Sequence, residues 1–172
     1  ESPIISYGLF RLAVSEEQKS DFARAASLYS DVHWLTTEEC QLRLGIPNRH
    51  PGIFIDSAVV VDSKKYLIGL WKACEAAGAI LEKRKVNSLT ELDDFDRIIV
   101  TTGAHVKNIS ELSELPITRI KGQVVEFAWP DHYPMPLYPI SSRAYALVDR
   151  NEKKCLAGAT YERYFTSEEP DL

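Results

Sequence analysis

The chain has 172 residues, 45% of them apolar, and a formal net charge of −5. That length and apolar content predict one folded domain with a sizeable core and exclude a disordered chain. The acidic balance excludes general DNA or RNA binding, which needs a surplus of surface cations to displace condensed counterions.

Three cysteines, Cys40, Cys74 and Cys155, show no Cys-x-x-Cys spacing, and the four histidines fall in separate segments. Neither a disulfide framework nor a metal site is expected, and a reducing, cytoplasmic setting fits. No apolar run reaches the ~18 residues that span a bilayer. The start Glu1-Ser-Pro is neither a signal peptide nor a natural initiator, so the chain is expected to be excised from a longer protein.

Residues Ile4 to Val14 read as a strand, followed by a Ser15-x-x-Gln18 capping box. In the helix it opens, Phe22, Ala25, Ala26 and Tyr29 recur at helical spacing and form a stripe that must pack on something flat. Val32 to Leu35 is a short strand. Thr36-x-x-Glu39 is a second capping box, and its helix ends near Gly45. A loop over 46–52 leads into strand character from Ile53 to Val61. Asp62 or Ser63 caps the next helix, where Leu67, Leu70, Trp71, Cys74 and Ala77 predict a buried stripe that includes the Cys74 thiol. Gly78 stands where a helix end favours a left-handed residue.

Two further strands are expected, one carrying Val86 and one over 95–102 that ends in Thr101, Thr102, Gly103 and Ala104. They look like closing elements of a nucleotide-binding α/β unit. Its opening element is absent, because no glycines are spaced as the Gly-x-Gly-x-x-Gly turn that cradles a pyrophosphate. Ile117 to Trp129 reads as a long extended stretch with a possible bulge at Gly122, then 130–136 as a surface loop. Residues 144–148 and 154–160 form a closing hairpin. Strand runs with isolated helices predict an α+β fold, a mostly antiparallel sheet with helices on one face, plus remnants of a nucleotide-binding α/β domain at 76–105.

On the hairpin, two-residue alternation places Arg143, Tyr145 and Leu147 on one face. With Tyr145 opposite Ala157, Tyr161 joins that face. A guanidinium and two phenols separated by alanines suit a small carboxylate-bearing ligand; an exposed polar sheet face is the alternative. No nucleophile-and-base grouping is readable, so no catalytic side chain is assigned.

Seven stretches in order resemble the FAD-dependent oxidoreductases of the D-amino-acid-oxidase type, especially the glycine and sarcosine oxidase branch. They are Gly8 to Glu17, Leu35 to Glu39, Val61 to Leu67, Ala76 to Ala79, Ile99 to Ala104, Ile120 to Val124 and Leu156 to Thr160. The resemblance implies a central substrate-binding domain spanning 1–172. It implies cofactor contacts from Val86, Thr101, Thr102, Gly103 and Ala104, and substrate contacts from Tyr145 with Arg143 and Tyr161. Arg143 and Tyr161 stand where glycine oxidases tend to have histidine and methionine, which alters the pocket. His105 departs from the usual aromatic.

The implied activity is oxidation of the C–N bond of a small amino acid or secondary amine, with hydride passing to FAD. The isolated chain, without the phosphate cradle, is expected to be inactive and not to hold FAD tightly. Two alternatives stand beside this: a non-catalytic binding module, and the oxidoreductase domain of a tRNA wobble-uridine modifying enzyme. Apolar surface left uncovered predicts a homodimer.

Overall fold

A computed structural model describes residues 2–171. Its elements are β1 (Ile4–Leu12), α1 (Glu16–Leu28), β2 (Val32–Leu35), α2 (Thr37–Leu44), β3 (Gly52–Val61), α3 (Ser63–Ala76), β4 (Val124–Ala128), β5 (Ile140–Ser141), β6 (Tyr145–Asp149) and β7 (Lys154–Gly158). The strands form one seven-stranded sheet in the order β2-β3-β1-β5-β6-β7-β4. Every pairing is antiparallel except β1 with β5. The mostly antiparallel α+β sheet expected from the sequence is therefore present.

The helix starts follow their local chemistry. Ser15 accepts from the Gln18 amide at 3.2 Å, and the Gln18 side chain reaches back one residue further than a capping box, to the Val14 amide at 2.9 Å. Thr36 and Glu39 close a reciprocal box at 3.2 and 2.8 Å. Asp62 caps α3 by accepting from the Lys65 amide at 3.0 Å. Gly78, at φ 91°, ends α3, with the Ala79 amide bonded to the Cys74 carbonyl at 3.0 Å.

The core sits at one end of the sheet. Phe10 of β1 pairs across the ladder with Phe54 of β3, and Leu35, Cys40 and Leu44 bury against them. Tyr138 completes an aromatic cluster, with ring centroids 4.9 Å (Phe10–Phe54), 5.7 Å (Phe10–Tyr138) and 4.9 Å (Phe54–Tyr138). Burial holds the Cys40 thiol up at about 11. Helix α1 packs across β2 and β3, its Phe22 ring facing the Arg11 guanidinium at 5.1 Å. Tyr29 falls just past the end of α1 and is exposed, so the predicted stripe stops at Ala26.

Three expectations fail here. The α3 stripe is not core: Leu67 is 63% exposed, Leu70 is also exposed, and Cys74 is an exposed thiol rather than a buried one. The strands expected at Val86 and over 95–102 are irregular chain, with Ile80 93% and Ile99 87% exposed. No described strand lies beside them, and strand-type sequence forms strand only where a neighbour accepts its ladder hydrogen bonds. The long extended stretch from Ile117 narrows to β4, since only that part finds β7 as a partner.

Gly8 makes the aromatic cluster possible. Its φ is +80°, and a Cβ there would lie 2.3 Å from Cζ of Phe54. Gly8→Ala combines a left-handed backbone penalty with a clash against a ring held by two others. The variant is expected to lose about 2–4 kcal/mol in urea unfolding, while an exposed substitution such as Ser20→Ala stays within about 0.5 kcal/mol.

Candidate active site

The β6–β7 hairpin forms as expected but one residue away from the predicted register. Tyr145 pairs with Gly158, and Ala157 pairs with Ala146. The pattern of small residues at 157–159 gave no way to choose between these registers. The tight connection at 149–153 settles it: Asp149 accepts from the Asn151 and Glu152 amides at 2.9 and 3.1 Å.

Beyond Gly158 the partner strand slips again. Lys121 and Glu162 exchange both backbone hydrogen bonds at 2.9 Å, one residue out of step with the β4–β7 ladder. The extra residue lies on the 159–160 side rather than at Gly122. This slip brings Tyr161 opposite Gly122, which alternates onto the face of Val124, Gly158 and Tyr145. Simple alternation from the Lys121–Glu162 bridge would return Tyr161 to the Tyr145 side, although residues 159–161 themselves lie outside the ladder.

Arg143 does not lie on β6. It occupies the tip of the β5–β6 turn, closed by the Ser142 amide on the Ala144 carbonyl at 2.7 Å, and it is exposed. Tyr145 is half-buried at the first position of β6; Tyr161 is 64% exposed, with the Arg163 guanidinium 5.7 Å from its ring. The arrangement is thus a turn arginine beside one end of the sheet face that carries Tyr145, with Tyr161 exposed past the end of β7. The same face continues through Leu147, Leu156 and Glu126 into a cleft of about 330 Å³. Around that cleft stand Asp62, Glu126, Asp149 and Glu152 against one cation, Lys154. Lys154 pairs with Glu152 at 3.0 Å and with Glu126 at 3.6 Å.

Sequence reasoning missed the network that anchors Tyr161. Lys121, only 8% exposed, donates to the Glu169 carbonyl at 2.6 Å and to Asp171 Oδ2 at 2.9 Å. Gln123 Nε2 donates to Glu162 Oε1 at 3.0 Å, and Gln123 Oε1 accepts from the Asp171 amide at 2.7 Å. Some 39 to 50 residues separate the partners, so no local pattern advertises them.

The segments assigned to a cofactor are brought together by one carboxylate. Glu111 accepts from Ser88 Oγ at 2.5 Å, from the Leu89 amide at 3.1 Å and from Ser110 Oγ at 2.8 Å. The Ser110 amide also bonds to the Asn87 carbonyl at 2.9 Å. This clamp holds the chain next to Val86 against the segment that follows Thr101–Ala104. Hydrogen bonds from Ser88, then from the backbone and Ser110, pull the Glu111 carboxyl from 4.5 to about 2. Glu91 secures the same stretch by accepting from the Asn87 and Ser88 amides; the Ser88-x-x-Glu91 spacing carried that signal.

Thr101, Thr102, Gly103 and Ala104 are exposed, and Gly103 has φ +55° with nothing within 4 Å of a would-be Cβ. A left-handed, uncrowded turn with exposed backbone leaves room for close approach by an outside group. Among the described residues no metal-binding group of His, Cys, Asp or Glu occurs, and no helix is long and apolar enough to cross a membrane.

The family model described as FAD dependent oxidoreductase matches residues 5–172. The chain belongs to the FAD-dependent oxidoreductase family. Similar solved structures are glycine oxidase from Geobacillus kaustophilus, with TM-score 0.73, 20% identity, and 96% of this chain and 50% of that one covered, and glycine oxidase from Bacillus cereus ATCC 14579, with TM-score 0.64, 14% identity, and 95% and 52% covered. A similar curated protein is the tRNA 5-methylaminomethyl-2-thiouridine biosynthesis bifunctional protein MnmC of Pseudomonas fluorescens (strain Pf0-1). It is 27% identical over 145 residues, covering 70% of this chain and 20% of that protein. The chain therefore spans about half the glycine oxidases and a fifth of MnmC. The D-amino-acid-oxidase-type family reading and the glycine oxidase fold both hold, and the family's cofactor is FAD.

The Glu111 clamp gives a pH prediction. Its folded carboxyl titrates below the unfolded value, so its stabilisation is complete above about pH 4.5 and is lost as pH falls towards 2. The Leu89 amide resonance should stay flat from pH 7 to about 3 and move as pH falls towards 2. In Glu111→Gln that titration should vanish, and Leu89 should exchange its amide hydrogen faster at pH 7.

Proposed function

We propose that the whole protein containing this chain oxidises the C–N bond of a small amino acid or secondary amine. The observation that carries this reading is the sheet face with Tyr145, beside the Arg143 turn and with Tyr161 past the end of β7, in a chain of the FAD-dependent family. FAD, when bound, supplies the acceptor for the hydride leaving the amine carbon, and the resulting imine hydrolyses in water. The chain's residues bind and orient. The Tyr145 hydroxyl directs a hydrogen bond, the Arg143 fork pairs a carboxylate, and Tyr161 walls the pocket. The excess of carboxylates around the neighbouring cleft favours an ammonium-bearing ligand. Val86 and Thr101 to Ala104 would meet the dinucleotide.

MnmC likeness favours a second reading, in which the amine is carried on a tRNA wobble uridine. The net charge of −5 weighs against this chain supplying the phosphate-binding surface, which such a substrate would need from elsewhere in the protein. The free thiols Cys40, Cys74 and Cys155 support a reducing cytoplasmic setting. The exposed apolar residues of α3 and its sequel, Leu67, Leu70, Ile80 and Ile99, are the surface we propose for association with a second copy.

Two measurements test the reading. In the FAD-loaded whole protein, Tyr145→Phe should lower kcat/KM for small amines by about tenfold, the value of one directed hydrogen bond to a charged group; unchanged kinetics across sarcosine, glycine and N-methylated amines would remove Tyr145 from the site. With the 172-residue chain alone, an FAD titration followed by flavin fluorescence and visible absorbance should show no tight binding, because the sequence has no Gly-x-Gly-x-x-Gly cradle. Tight binding would overturn the expectation that this chain is inactive by itself.

A further inference from the structure

Gly158 lies at the centre of a three-strand row, with Tyr145 of β6 on one side and Val124 of β4 on the other. A Cβ added there would lie 3.2 Å from the Tyr145 hydroxyl oxygen and 2.6 Å from Cγ1 of Val124. Cross-strand side chains ordinarily stand side by side above the sheet. Here the space above the middle strand holds the far end of the tyrosine. The phenol reclines over β7, and its hydroxyl is delivered one strand away from the backbone that carries it. Among the described residues no hydrogen bond engages that hydroxyl, so packing around Gly158 rather than a polar partner sets its place.

We infer that Gly158 is a positioning residue for the Tyr145 hydroxyl, and that the missing side chain sets where a substrate can be hydrogen-bonded on this face. The inference rests on the assignment of Tyr145 to the substrate site. An alanine asks the hydroxyl to give by a few tenths of an ångström. A valine adds methyl groups where the phenol now lies and forces the ring off β7. The effect therefore grows with side-chain size, whereas a ladder-stability role would favour valine over glycine in a strand.

The Val124 contact is a folding hazard, so each Gly158 variant is built with Val124→Ala and compared with Val124→Ala alone. In the FAD-loaded whole protein, KM for sarcosine or glycine should rise about twofold with Gly158→Ala and on the order of tenfold or more with Gly158→Val, with kcat changing less. In a Tyr145→Phe background the same substitutions should change KM by less than about twofold, because the group they displace is gone. In the 172-residue chain with tyrosines labelled at Cζ, the Tyr145 signal should move stepwise through the series while the other seven tyrosines hold. Equal KM changes in both backgrounds, or an unmoved Tyr145 signal with Gly158→Val, would overturn the inference. If Tyr145→Phe alone leaves turnover unchanged, the substrate assignment fails, and the Cζ series still decides whether Gly158 governs the ring.

Discussion

The sheet depends on a junction two residues long. Phe10 and Arg11 of β1 meet Ile140 and Ser141 of β5 in parallel, and this pairing joins β2-β3-β1 to β5-β6-β7-β4. So short a ladder holds only because its surroundings are rigid. The Phe10 amide donates to the Pro139 carbonyl at 3.0 Å, Tyr138 packs its ring against both Phe10 and Phe54, and the Leu137 amide bonds to the Leu44 carbonyl at the end of α2. The prolines at 134, 136 and 139 cannot donate to a ladder, so the segment leaves the sheet and packs as a wedge. The wedge fixes where β5 starts, and hence where the β5–β6 turn presents Arg143 and Tyr145. Core and candidate site are coupled through one short peptide.

Local signals were legible, and non-local ones were not. Ser15, Thr36 and Asp62 cap the helices that the residue pattern assigned to them, because a cap is decided within four residues. The failures all require knowledge of a neighbour. An amphipathic stripe such as Leu67, Leu70 and Trp71 shows that a face wants cover, not that cover lies among the described residues. The run Ile98 to Thr102 has strand composition and no described strand to pair with. The β5 strand was invisible because two residues between a proline wedge and a turn carry no periodicity.

Register at the hairpin is a subtler case. Small residues at 157–159 left Tyr145 free to face Ala157 or Gly158, and a one-residue slip normally reverses every side chain beyond it. Here the extra residue at 159–160 offsets the slip at the Lys121–Glu162 bridge, next to Tyr161. The Lys121–Asp171 and Gln123–Glu162 bonds hold that irregular stretch in place. A bulge next to a candidate site is a common way to re-aim a side chain. Its polar ties span 39 to 50 residues, beyond any window in which a pattern is read.

The glycines separate the two kinds of surface on this chain. At Gly8 and Gly158 an added Cβ would enter space filled by an aromatic side chain, Phe54 in one case and the Tyr145 hydroxyl in the other. These glycines serve the protein's own packing. At Gly103 the backbone is equally constrained, with φ +55°, yet nothing stands within 4 Å. That left-handed turn has no packing neighbour. Its room is available to a group from outside this packing, and a family whose cofactor is FAD supplies a chemical candidate for that group. Under the function proposed above, cofactor contact and substrate contact would fall to different regions of the chain, the loops around Gly103 and the β6–β7 face, so substitutions in one should alter flavin affinity and in the other amine selectivity.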